Sequence, residues 1–537
     1  MSTGSPSVHG LVLSSAVAVV LGSGCTGELA VPSGTDGVPS PADAPAVCSP
    51  ASVVLTGMID SADLLPAGVP PEDQPFEKGP GIALGDLDGD GWTDAVVALP
   101  LGGSRFLHND GTGHLVLDPG WTVDGGPVPV ASAVAVADLD SDGDQDVVLS
   151  RASGLEDLVL YNLGQGDFTA EALPDSEPES LTVTVADFDG DGRLDLFVAG
   201  FQSPETRGHT AGGPTTLEGE GQRLYLQDDH GTFDDASDRL PTQVDQALTF
   251  QGAPMDADGD GDLDLYLVND HVAEAVPNTL LRNDGHGHFT VAEDASCAVG
   301  SAPMGAGVGD LNRDGLPDLY VSDLETQHLL LNASDGAFIA VGQAYGAVDN
   351  TSKPTWGAVI ADVDLDGLQD LLMARGGVPP QGLAEGVDQT AEGLLLRATA
   401  LGSYEELDPH GDFNLPRQGR SVVVGDLDRD GRPELVTAGL WSVETWDIDG
   451  GCNGIALRLE GGVAIGAQVR VRHGDQDQTT WLLPSTSFSM SEQVVMVGLG
   501  TDAVADEVVV TWPDGFTQVL EQVPAGSQIL LTRDPVL

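Results

Sequence analysis

The side chains able to do chemistry in this chain are concentrated in one acidic phrase, D-x-D-x-D-G-x-x-D, which occurs seven times. The copies are DLDGDGWTD from Asp86, DLDSDGDQD from Asp138, DFDGDGRLD from Asp187, DADGDGDLD from Asp256, DLNRDGLPD from Asp310, DVDLDGLQD from Asp362 and DLDRDGRPE from Asp426. Acids on alternate residues of a curled loop can aim their oxygens at one point. Ca²⁺ takes about six to eight such oxygens at about 2.3–2.6 Å. The expected side-chain ligands are Asp86, Asp88, Asp90 and Asp94; Asp138, Asp140, Asp142 and Asp146; Asp187, Asp189, Asp191 and Asp195; and Asp256, Asp258, Asp260 and Asp264. The remaining three sets are Asp310, Asn312, Asp314 and Asp318; Asp362, Asp364, Asp366 and Asp370; and Asp426, Asp428, Asp430 and Glu434. Asn312 keeps a carbonyl oxygen with one charge fewer, and Glu434 keeps a carboxylate at the cost of a small backbone shift. The sixth residue is glycine in every copy, as a sharp turn with positive φ requires. The seventh offers its backbone carbonyl. Up to seven Ca²⁺ ions are expected, as rigidifying elements of a scaffold.

An EF-hand is the competing reading, and its twelfth loop position must be a bidentate glutamate between two helices. Here that position holds Val97, Leu149, Val198, Leu267, Val321, Met373 and Thr437, none able to bind a cation. The flanks are short apolar runs rich in β-branched residues, such as SAVAVAD before one loop and DLFVAG after another. Such runs read as buried strands, so each loop joins two strands of a hairpin.

Successive phrases begin at residues 86, 138, 187, 256, 310, 362 and 426, hence 52, 49, 69, 54, 52 and 64 residues apart. A period near fifty marks a repeat architecture. A second phrase follows the loop in the clearest repeats: FLHNDGTGHL from Phe106, LYNLGQGDF from Leu160, LLRNDGHGHF from Leu280 and LLLNASDGAF from Leu329. Its glycine turns between apolar runs are hairpin signals. One repeat therefore supplies about four strands, one propeller blade. The expectation is an all-β chain with a seven-bladed β-propeller at 75–450 and a small C-terminal β module at 451–537. The two longest intervals contain Gly/Pro/Thr-rich insertions, SPETRGHTAGGPTTLEGEGQ and GGVPPQGLAEGVDQTAEG, expected on one rim.

The combined pattern resembles FG-GAP/VCBS-type repeats, as in the calcium-bearing propeller of integrin α subunits. It is more similar to the family of cartilage acidic protein and its bacterial relatives, which add a C-terminal ASPIC/UnbV module. IALRLEGG from Ile455, IGAQVRVRHGD from Ile465, VGLG from Val497 and VVVTWPDGFTQVLEQVPAG from Val508 carry the likeness to that module. The resemblance covers about residues 75–535 and implies architecture more than mechanism.

Net charge is −65, from 85 acids against 20 bases. Such a surface excludes nucleic acid and anionic membranes as partners and favours cationic ones. The N-terminal LVLSSAVAVVLGSGC reads as an export signal over residues 1–25, too short to span a bilayer comfortably. LGSGC resembles a lipoprotein cleavage site with Cys25 lipidated, although the preceding segment lacks Lys and Arg. Residues 26–74 read as a disordered tether with a ring-closing strand. The chain is thus expected outside the cell, at the surface, on the outer membrane or free, with no transmembrane span after processing. Cys48, Cys297 and Cys452 leave the disulfide pairing open.

No H-E-x-x-H, G-x-S-x-G or phosphate-binding loop is present. GAGVGD from Gly305 precedes an acidic loop and reads as a packed strand, and His286 and His288 fall on a surface turn. Trp356 and Trp512 read as packing residues. The sequence therefore points away from an enzyme. It points to a surface adhesion or binding scaffold for protein or glycan, with a polysaccharide-acting propeller enzyme and an assembly factor for an exported partner as alternatives. Convergent side chains in an axial funnel would favour the enzyme; a flat rim and an empty axis would favour the binder.

Overall fold

The computed structural model describes residues 48–64 and 79–533 apart from short segments, the longest being 202–220 and 378–390. Residues 1–47, with the export signal and Cys25, and most of both insertions lie outside the described residues.

The described propeller strands pair antiparallel into seven sheets with a four-stranded core. The first is built from Gly81–Gly85, Asp94–Ala98, Arg105–Asn109 and Leu115–Leu117. The next five repeat that order along the chain. The innermost strands, Gly81–Gly85, Ala133–Ala137, Ser180–Ala186, Thr249–Met255, Pro303–Gly309, Thr355–Ala361 and Gly419–Gly425, neighbour one another in sequence order. The last also lies against the first, so the ring closes. These strands are small-residue and β-branched because both faces are covered: GIALG, AVAVA and SLTVTVA are buried at every position. Clusters such as Val96, Val134, Val147 and Leu160 pack sheet against sheet, and burying such a side chain is worth about 1.5–3 kcal/mol.

The seventh sheet joins both ends of the propeller. Gly419–Gly425, Glu434–Gly439 and Ser442–Gly451 are completed by Ser49–Asp60, antiparallel to Ser442–Gly451. A disulfide between Cys48 and Cys452 fastens this closing strand, and Cys297 is buried outside it. The pairing left open by sequence is thereby resolved.

The C-terminal residues form two packed sheets, Val494–Gly500, Asn453–Glu460 and Gln528–Thr532 against Gln476–Trp481, Gln468–His473, Val504–Thr511 and Thr517–Pro524. Ile455, Leu457, Val469, Val497, Val508, Val510 and Trp512 fill the space between them. Between Trp481 and Val494 the chain leaves this sandwich. The hairpin Ser485–Met490 touches the innermost strands of sheets one, two, four, five, six and seven, which places it on the ring axis. Met490 pairs with Ala83, the Ile82 amide donates to Ser489 Oγ at 2.9 Å, the Val134 amide donates to the Phe488 carbonyl at 3.3 Å, and Ser487 Oγ donates to the Met304 carbonyl at 2.7 Å. The hairpin thus satisfies backbone groups that innermost strands otherwise leave open. Gly81 permits the approach: a Cβ there would stand 2.1 Å from the Phe488 carbonyl oxygen. Phe488 is buried with its ring 6.2 Å from Phe250 and 6.4 Å from Trp356. The sequence boundary near 450 therefore separates segments that share one sheet in space.

Truncating Phe488 leaves an axial cavity that six sheets would have to move together to fill. Phe488→Ala is expected to lower unfolding free energy by about 3–5 kcal/mol, read from urea melts with an unchanged slope. A loss below about 1 kcal/mol would show that the hairpin is not packed as described.

Candidate metal centre

Each acidic phrase falls on the hairpin between the innermost and second strands, as the flanks implied. The sixth-position glycines Gly91, Gly143, Gly192, Gly261, Gly315, Gly367 and Gly431 all have φ between 82° and 99°. The fourth position is left-handed too, which residue type does not announce: beside Gly89, Gly190 and Gly259 it holds Ser141, Arg313, Leu365 and Arg429, at φ 57–62°. A non-glycine residue in this region costs about 1–2 kcal/mol, which the surrounding loop must offset.

The first loop shows what offsets it. Asp86 accepts the amides of Gly89 and Gly91 at 2.9 and 2.8 Å, Asp88 that of Asp90 at 3.1 Å, and Asp90 that of Trp92 at 2.8 Å. The ninth position behaves differently. Asp94 is fully buried, and its two oxygens accept the Leu87 amide at 3.0 Å and the Asn109 amide at 2.8 Å. Asp146, Asp195, Asp264, Asp318 and Asp370 repeat this double acceptance. Glu434 accepts the corresponding Leu427 amide at 2.6 Å. In the first six loops the ninth residue therefore braces loop to third strand, and Asp94, Asp146 and Asp195 also lie within ligand range of acids of their own loops.

Carboxylate oxygens of Asp86, Asp88 and Asp94, of Asp138, Asp140 and Asp146, and of Asp187, Asp189 and Asp195 lie within 4.8 Å of one another, as do those of Asp256, Asp258 and Asp260. Asp189 Oδ1, Asp258 Oδ1 and Asp362 Oδ1 are buried without a hydrogen-bond partner. Oxygens turned inward and left unpaired are what a hard cation would satisfy, so these residues fit a metal ion. In the fifth loop the Asn312 amide instead donates to Asp314 at 2.9 Å.

Sequence reasoning took the second phrase as a hairpin turn and missed its asparagine. Asn109 Nδ2 donates to the Leu427 carbonyl at 2.9 Å, inside the loop of the neighbouring sheet. Asn162 reaches Leu87, Gln227 reaches Leu139, Asn283 reaches Phe188 and Asn332 reaches Ala257 in the same way. Each of these carboxamides ties its sheet to the acidic loop before it. The signal was the fixed place of the amide residue in HND, YNL, RND and LNA. The preceding residue faces its own loop and varies. His108 Nδ1 stands 3.2 Å from Asp88 and 3.3 Å from Asp94, Arg282 Nε stands 3.4 Å from Asp258, and Arg397 Nε stands 2.6 Å from Asp364.

Burial is the largest cause raising the proton affinity of these acids, aided by repulsion from acids of the same loop and opposed by the amide hydrogen bonds. It pushes Asp94, Asp146 and Asp264 up to about 7, Asp195 and Asp318 to about 8, and Glu434 to about 9. Asp138, Asp187 and Asp310 rise to about 6 for the same first reason.

The fold and its loops define a propeller that carries acidic loops and is joined to a β sandwich, and comparison with known proteins agrees with the fold. Residues 86–149 and 256–321 match the FG-GAP-like repeat, and residues 461–536 match the ASPIC and UnbV domain. The chain is similar to cartilage acidic protein 1 of Mus musculus, 24% identical over 404 residues, covering 70% of this chain and 56% of the mouse protein. The Homo sapiens protein is 23% identical over 318 residues, covering 57% of this chain and 42% of its own. The chain thus spans about half the length of these curated relatives. Among solved structures, an Agrocybe aegerita lectin that recognises non-reducing terminal N-acetylglucosamine has a TM-score of 0.40 at 18% identity, covering 63% of this chain and 81% of the lectin. A Bacillus licheniformis rhamnogalacturonan lyase has a TM-score of 0.37 at 13% identity, covering 68% of this chain and 71% of the lyase.

The acids bind protons more tightly folded than unfolded, where an aspartate titrates near 3.8. Between about pH 4 and 8 the folded state therefore carries more protons, and stability without metal falls as pH rises through that window. In chelator the melting temperature should drop from pH 5 to pH 8. The rise on adding a divalent cation should grow over the same interval, because cation and protons compete. Scanning calorimetry at both pH values checks this; a melting temperature in chelator that climbs with pH contradicts it.

Proposed function

We propose that this protein is an exported, calcium-stabilised propeller that acts as a binding or adhesion scaffold for protein or glycan at the cell surface. The observation that carries the reading is the convergence of inward, partly unpaired carboxylate oxygens in the acidic loops. Oxygen-only side-chain sets of this kind suit Ca²⁺. Bound ions fix each hairpin against its third strand, and through the asparagine ties against the neighbouring sheet. The loops on the rim then present a fixed surface. The Cys48–Cys452 disulfide supports an oxidising compartment, hence export. No described helix is long and apolar enough to cross a membrane.

The axis is neither the empty channel nor the open funnel considered from sequence. It is filled by Ser485–Met490, and a cavity of about 100 Å³ remains beside it, lined by Ile360, Gln369, Trp481, Ser485 and Glu492 among others. Glu492 is already engaged: it accepts from Thr93 Oγ1 at 2.5 Å and from the Asp426 amide at 2.7 Å, and it pairs with Arg458 at 2.5 Å. A carboxylate so held is poorly placed for general acid–base work. This favours the binding scaffold over an axial enzyme.

Calcium titration followed by isothermal calorimetry and thermal melting should show several ions bound and a rise in melting temperature of tens of degrees. Identical melting in calcium and in chelator would sink the stabilisation. Glycan arrays and panels of surface proteins, probed in calcium and then in chelator, should reveal a ligand retained only with calcium.

A further inference from the structure

The seven loops are not equivalent. The fifth-position aspartates Asp90, Asp142, Asp191, Asp260, Asp314 and Asp430 are exposed, whereas Asp366 is 5% exposed. In the sixth loop Asp362, Asp364 and Asp370 are also buried, at 4%, 1% and 0%. The C-terminal sandwich provides the cover. The Gly498 amide donates to Asp362 Oδ2 at 3.1 Å, the Cys452 amide to the Asp364 carbonyl at 2.8 Å, and the Gly500 amide to the Leu365 carbonyl at 3.1 Å. Arg313 bonds both the Gly367 carbonyl and Gln476 Oε1, tying this loop to the sandwich from the side. The fit is close: a Cβ at Gly498 would stand 2.1 Å from Asp362 Oδ2 and 2.4 Å from the Leu365 backbone. Leu365 itself holds a left-handed φ of 57°.

The charge in this enclosure does not balance. Four carboxylates face two guanidinium groups: Arg397, which pairs with Asp364 and Asp366, and Arg313, which is attracted to Asp362 and Asp366. With all four ionised, as ligation of a cation requires, two negative charges remain, the charge that one divalent cation neutralises. Burying such charge unpaired costs several kcal/mol per ion. Independently of the count, Asp362 Oδ1 is buried in the loop with no partner.

We infer that the sixth loop holds a buried divalent cation that latches the C-terminal sandwich, and with it the axial hairpin Ser485–Met490, onto the propeller. The inference rests on the proposed calcium reading and adds a division of labour to it. Ions in the solvent-facing loops stiffen single hairpins and exchange readily. The sixth ion exchanges only when the sandwich lifts, and its loss frees the hairpin from the axis. The connection is direct, because Val494–Gly500, which carries the Gly498 amide, follows the hairpin within four residues.

The test compares Asp362→Asn with Asp256→Asn, the same position in the solvent-facing fourth loop, in the full chain with calcium. Native mass spectrometry counts ions, and hydrogen exchange reads the amides of residues 484–500. Each variant should lose one ion. Only Asp362→Asn should speed exchange at 484–500, by at least about tenfold. Should Asp362→Asn fail to fold, the wild-type protein is followed after addition of chelator. There the slowest ion to leave should depart together with the protection of 484–500. If ions bind but that protection goes with the fast-leaving ions, or outlasts the last one, the latch is overturned and the calcium reading stands. If the wild-type protein binds no calcium or other divalent cation, both fall.

Discussion

The interaction on which the rest of this structure depends is the double acceptance made by the ninth residue in six of the seven acidic loops. In six loops one oxygen of a buried aspartate holds the start of the loop and the other holds the third strand. The loop's curl, the pairing of three strands and the inward turn of the acids above are thereby fixed by one side chain. Its cost is concentration of negative charge in a buried place, which an oxygen-seeking cation relieves. Local geometry and metal affinity have the same cause.

The asparagine ties extend that local order around the ring. Because Asn162 binds the first loop and Asn109 binds the seventh, deformation of one loop reaches the sheet beside it. The pattern breaks where the sandwich docks. Ala398 and Ile448 stand at the equivalent register in the sixth and seventh sheets, and the C-terminal segment contributes Glu492, Cys452 and Gly498 around the loops of those sheets.

Much of this was legible in the sequence because it is local. Acid spacing, the sixth glycine and the apolar flanks sit within twenty residues of one another, so loop, hairpin and repeat could be read directly. Trp356 and Trp512 proved to be buried packing residues, as their strand-like contexts implied. The axial hairpin was not legible. PSTSFSMS has neither strong strand pattern nor charge, and Phe488 acquires its role only from Gly81, Phe250 and Trp356, far away in the chain. The sixth loop matches the first four letter for letter in its acids; its burial comes from Gly498, more than a hundred residues later. The left-handed Leu365 could not be foreseen either, since leucine gives no hint of positive φ.

The closing strand imposes an order on assembly. Ser49–Asp60 belongs to a sheet whose other strands span residues 419–451, and the disulfide that fastens it joins cysteines 404 positions apart. Pairing at such separation carries a large loop-closure entropy and is intrinsically slow. Six sheets can form as the chain lengthens, each from its own contiguous stretch, but the seventh must await residues synthesised much later. The first described strand to emerge therefore waits for nearly the whole propeller to be made before its partner exists, and until then the growing ring remains an open arc.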